Sequence, residues 1–127
     1  MRNLIILAVL GLAACATNSI ETERVRGTAE AVLDRTEVYL AADQALAPEE
    51  RGTREGALAR LRAQLALPEI YATPELVADV RAIRAWHDVY VEADATLTAN
   101  RKRGSLLTSD LFVKVFVTAA GQPSEGS

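Results

Sequence analysis

His87, Tyr90 and Asp94 recur at steps of three and four in the stretch HDVYVEADATL, and Leu97 continues the run. On a helix that spacing gathers them on one face, where apolar residues would ordinarily point inward. An imidazole, a phenol and a carboxylate so placed could hold a divalent ion, bind a polar ligand, or form a hydrogen-bonded seam inside an apolar interface. At an offset of 51 residues, Tyr39 and Asp43 repeat the relation, with VYLAADQAL set against VYVEADATL. Tyr39, Asp43, His87, Tyr90 and Asp94 therefore form the candidate polar seam.

The three chemistries make different demands. A seam needs only a partner for each buried hydroxyl, and the aspartate one turn beyond each tyrosine on its own helix is within reach. A metal site needs Asp43, Asp94 and His87 to converge. With one histidine in the chain they supply at most three ligands, and the Glu-x-x-His pairs of di-metal bundles are missing. No metal and no cofactor are expected. Catalysis has less to draw on: His87 and Asp88 are adjacent, so their side chains leave a helix about 100° apart. No serine stands in a glycine-flanked elbow, and no glycine-rich phosphate loop occurs. The chain is read as non-catalytic.

The elements that carry these residues follow from periodicity. Val25, Ala29, Val32, Tyr39 and Leu46 keep helical spacing over 21–47, with Thr36 and Asp43 filling the stripe. Pro48 ends that helix and opens a turn to Thr53. A second helix, to Ala66, shows Leu58, Leu61 and Leu65 on one face. Thr73-Pro74-Glu75 is a helix start, with a capping hydroxyl, a first-turn proline and an acid at the positive end of the dipole. The third helix extends to Ala99 through Leu76, Val80, Ile83, His87, Tyr90, Asp94 and Leu97. The valines of SDLFVKVFVTAAG favour a strand. No second strand is available to pair with it, and Ser109 and Gly121 suit helix ends, so the segment is assigned as a helix.

The two long stripes align throughout: Val25 with Leu76, Ala29 with Val80, Val32 with Ile83, Thr36 with His87. Beyond them Arg51-Gly52-Thr53 lines up with Arg103-Gly104-Ser105 if one residue slips. An internal duplication at an offset of about 51 residues predicts an all-α, four-helix bundle of two αα hairpins. Flanking the third helix's stripe, Val77, Arg84 and Val91 are the candidate partner face, available to an amphipathic helix if exposed. Trp86, Val89 and Ala93 lie on its other side, and Leu111, Phe112, Val115 and Phe116 in the fourth helix are either core or partner-facing.

The N-terminus bounds the setting. Arg2 precedes a short apolar run, Leu4 to Leu12, too short to span a bilayer and ordered like a secretory signal. Leu12-Ala13-Ala14-Cys15 resembles the lipobox of bacterial lipoproteins. The resemblance implies cleavage before Cys15 and acylation of its sulfur and new amine, palmitate among the chains. Ala16 in place of an aspartate implies the outer membrane, facing the periplasm. Cys15 is the one cysteine, so lipidation also removes a free thiol. The expected organisation is a signal peptide over 1–14, an anchor and tether over 15–20, a helical domain over 21–121 and a disordered tail over 122–127. Without Arg2 the chain has 13 basic against 17 acidic residues, which argues against nucleic acid. The Arg101-Lys102-Arg103 cluster reads as a solvated loop or a contact for anionic lipid. In size, anchor and helical content the chain is similar to the helical pilotin lipoproteins that escort secretin subunits. That likeness implies an accessory module whose partner is another envelope protein. A lipoprotein of mobile-element (phage-type) origin and a ligand binder using the seam are the alternatives, and a second copy could complete the bundle as a homodimer.

Overall fold

The computed structural model describes residue 23 and residues 25–120. The segments expected to be the signal, the lipobox with Cys15, the tether and the tail over 122–127 lie outside the described residues.

The described residues form four helices: α1 over 25–42, α2 Pro48–Leu65, α3 Pro74–Ala93 and α4 Ala99–Ala119. No strand occurs among the described residues, and the valine-rich segment lies inside α4. The helices pair as α1–α2 and α3–α4 hairpins in an all-α four-helix bundle, with α3 packed on both α2 and α4.

The boundaries differ from the periodicity in one systematic way. Both long helices end early, at 42 and 93, and both short ones start early, at 48 and 99. Asp43 and Asp94 explain the ends. Each turns its carboxylate back onto the chain, accepting from the backbone N–H of Ala45 at 3.1 Å or of Thr96 at 2.8 Å. These are Asx turns, which compete with helical hydrogen bonding. Pro48 then occupies the first turn of α2, where its missing N–H costs nothing, followed by Glu49 and Glu50. Thr98 caps α4 by accepting from the Arg101 N–H at 3.2 Å. The expected turn over Pro48–Thr53 is thus helix, and Ser109 is inside α4 rather than at its start.

The offset of 51 holds without a slip through both hairpins, so Arg51 matches Lys102 rather than Arg103. Their side chains act alike. Arg51 donates to the carbonyls of Leu40, at 2.7 Å, and Asp43. Lys102 donates to the carbonyl of Glu92 at 2.8 Å. Each supplies a cation to the open carbonyl end of the preceding helix.

The core joins Val25, Ala29, Val32, Leu33 and Leu40 of α1 to Leu58 and Leu61 of α2, Leu76, Val80 and Ile83 of α3, and Phe112, Phe116 and Val117 of α4. Phe112 and Phe116 meet edge to face with centroids 5.5 Å apart. Val77 and Val91 are also interior, at 1% and 0% exposure. Arg84 is paired with Asp88 at 3.0 Å and with Asp110 of α4 at 3.5 Å. The expectation that Val77, Arg84 and Val91 form a partner face is therefore corrected. The apolar arc of α3 is wide because it serves α4 as well as α1 and α2. Phe116→Ala is expected to lower unfolding free energy by about 3–5 kcal/mol in urea titrations, and Leu111→Ala, at the surface, by less than about 0.5 kcal/mol.

Candidate functional site

Where α1 and α3 pass each other, the rings of Tyr39 and Tyr90 stack with centroids 5.5 Å apart and planes 17° from parallel. Their hydroxyls do not bond the aspartates of their own helices, as the spacing predicts. They cross. Tyr39 Oη donates to Asp94 Oδ2 at 2.6 Å, and Tyr90 Oη donates to Asp43 Oδ2 at 2.7 Å. The crossing follows from the early helix ends: once Asp43 and Asp94 leave the helix, they no longer stand one turn above their own tyrosines. Each aspartate then spends one oxygen on its Asx turn and the other on the opposite hairpin. Thr96 Oγ1 adds a second donor to Asp94 Oδ1 at 2.6 Å.

Burial and the bonded carboxylate of Asp94 push the Tyr39 phenol up to about 12. Tyr90 is raised as well, by burial and by Asp43. Asp94 lies below the usual carboxylate range, held there first by the Thr96 hydroxyl and then by Tyr39. A phenol raised in the folded state adds stability below the ordinary value of ~10, and that stability disappears as pH rises through about 12. For Asp94 the sign reverses. Its contribution is present above the ordinary ~3.9 and is lost as acid carries the pH down through the lowered value.

His87 lies apart from this clasp. It matches Thr36 across the repeat, and both are interior. Thr36 satisfies its hydroxyl on the Val32 carbonyl of its own helix at 2.7 Å. His87 needs partners on both ring nitrogens: Arg35 Nη1 donates to Nε2 at 3.2 Å, and Nδ1 donates to Asp88 Oδ1 at 2.8 Å. Adjacent residues thus do meet here, against the expectation from helix geometry, because the two-atom reach of Asp88 bends back to Nδ1. Asp88 also accepts from Ser109 Oγ at 2.6 Å and from Arg84 Nε at 3.0 Å. Burial opposes its charge, yet the hydrogen bonds from His87, Ser109 and Arg84 together hold it below the usual range. Ser109 bonds the carboxylate and not the imidazole, so these residues form a partly buried polar chain between α1, α3 and α4. Among the described residues, no group of three or more His, Cys, Asp or Glu is placed to hold a metal ion. The comparisons add no relative. No protein-family model, curated protein or solved structure matches the chain.

The residues that break the twofold pattern escape a reading based on matches. Beside Tyr90, Arg54 of α2 sets its guanidinium 5.2 Å from the Trp86 ring centroid and 5.8 Å from that of Tyr90. Glu50 pairs with it at 2.9 Å. Across the repeat, Ser105 stands for Arg54, Arg35 for Trp86 and Arg101 for Glu50. The signal lay in the mismatches at an unslipped offset. Arg101, Lys102 and Arg103 also lie in the first turns of α4 and not in a loop. Lys102 caps α3, while Arg101 and Arg103 line two separate grooves.

In an alkaline titration followed by tyrosinate absorbance, one component is expected near pH 12 and should vanish in Tyr39→Phe. A double-mutant cycle between Tyr90→Phe and Asp43→Asn is expected to show a coupling of about 1 kcal/mol in urea unfolding. A coupling near zero would mean that the crossed bond is not formed in solution.

Proposed function

We propose that the chain is a lipid-anchored, non-catalytic helical module that engages another cell-envelope protein at the periplasmic face of the outer membrane. The observation that carries the reading is an apolar ridge on α4. Leu107 is 63% exposed and Leu111, one turn on, is 47% exposed. Leu107 borders a groove of about 430 Å³ between α3 and α4, lined also by Glu92, Ala99, Lys102, Arg103, Leu106 and Asp110. In the other hairpin the matching positions are Gly56 and Arg60, and Arg60 is paired with Asp79 at 2.8 Å. Only the second hairpin therefore carries two neighbouring exposed leucines here. A short apolar groove with charges of both signs on its rim fits an amphipathic helix, whose apolar side packs on the leucines. The lipobox at Leu12–Cys15 supplies the anchor in this reading. The non-catalytic part rests on Ser109 being bonded to Asp88 and His87 being enclosed.

The test uses the chain without its signal, immobilised and exposed to a detergent extract of its own host's envelope. One dominant envelope protein should be retained by the natural chain and lost from Leu107→Lys/Leu111→Lys, whose melting temperature should stay within about 2 °C, as for surface substitutions. Retention unaffected by the double substitution would overturn the ridge as the docking surface. A dimer in sedimentation that the same substitutions dissociate would assign the ridge to a second copy.

A further inference from the structure

The two hairpins should leave two equivalent clefts, α2 against α3 and α4 against α1. The first is filled: Arg54 reaches into it, covers Trp86 and Tyr90, and is neutralised by Glu50 four residues earlier. The second is open. It has a volume of about 490 Å³ and is lined by Arg35 of α1, Leu97, and Arg101, Gly104, Ser105 and Thr108 of α4.

Two changes open the cleft and two others make it cationic. Ser105 vacates the space that the Arg54 side chain takes in the other half. Gly104 stands where the other half has Thr53, and a Cβ on it would meet no atom within 4 Å. Arg101 brings a cation where Glu50 brings an anion, and Arg35 adds a second on the opposite wall. Among the described residues, neither arginine has a carboxylate partner; Arg35 spends one N–H on His87 at 3.2 Å. Ser105 Oγ has no hydrogen-bond partner among them, while Thr108 Oγ1 donates to the Gly104 carbonyl at 2.9 Å. The cleft thus holds two cations and a free hydroxyl with no anion in its described lining.

We infer that the α1–α4 cleft binds a phosphate group. A carboxylate is satisfied by one guanidinium in a planar, two-bonded pair. Two arginines on different walls and a serine hydroxyl present donors from several directions, which suits the tetrahedral oxygens of a phosphate anion. The volume falls within the ~300–1,000 Å³ of small-molecule sites, so it accommodates a phosphate together with part of the molecule that carries it. The inference is independent of the partner reading, which rests on another face of α4.

Inorganic phosphate is the first probe, titrated into the isotope-labelled chain while amide shifts are followed by NMR. Saturable changes are expected at 101, 104, 105 and 108. Arg101→Gln, at an exposed position, should weaken binding about tenfold, the effect of losing one charge-assisted hydrogen bond. Arg101→Glu with Ser105→Arg rebuilds the i,i+4 pair that closes the other cleft and should abolish binding while the chain stays folded. Phosphatidylglycerol vesicles form the second arm. If they shift the same amides and inorganic phosphate competes, the group belongs to a lipid headgroup; if only inorganic phosphate acts, it belongs to a soluble ligand. Shifts that do not saturate, affinity unchanged by Arg101→Gln, or acetate binding as tightly as phosphate would each overturn the inference.

Discussion

Two crossed hydrogen bonds between a tyrosine of one hairpin and an aspartate of the other join the halves of this bundle. Asp43 and Asp94 each do two jobs with two oxygens: one ends a long helix through an Asx turn, and the other holds the opposite hairpin's tyrosine. The turn and the interface are therefore one structure. Loosening either turn would move a carboxylate away from a phenol in the other hairpin. The stacked rings lie where the pseudo-twofold axis passes, the one place where equivalent residues can touch each other.

Around that symmetric centre the interior is not symmetric. His87 brings two ring nitrogens into a core where Thr36, its counterpart, brings a hydroxyl that its own helix satisfies. A buried imidazole without partners would cost several kcal/mol, so Arg35, Asp88, Ser109 and Arg84 are drawn into one chain of donors and acceptors. That chain ties α3 to α1 and α4 by directional bonds. On the other side of α3, Arg54 over Trp86 and Tyr90 makes the connection to α2 by stacking and charge.

Function in such a molecule is more readily sought where the halves differ. A repeated frame fixes which positions face each other, and divergence at those positions changes surface chemistry without changing the fold. Leu107 and Leu111 against Gly56 and Arg60 give one hairpin an apolar ridge. Arg101 and Ser105 against Glu50 and Arg54 leave one cleft open and cationic, while its twin is filled and neutral.

The sequence by itself determined the helical class, the two-hairpin plan and the offset of 51, because apolar periodicity and repetition are properties of a linear string. It also singled out both tyrosines and both aspartates. The choice of partners was decided only by tertiary structure. Position four residues on pointed each tyrosine to its own aspartate, but the aspartates leave the helices at 43 and 94, and the hairpins then bring the opposite carboxylates closer. Val77 and Val91 face core or surface according to how the other helices pack around α3, which periodicity within α3 does not specify. The open cleft depends on Arg101 and Ser105, one turn apart on α4, meeting Arg35 of α1, which lies more than sixty residues earlier in the chain. Their meeting is a consequence of packing one hairpin on the other.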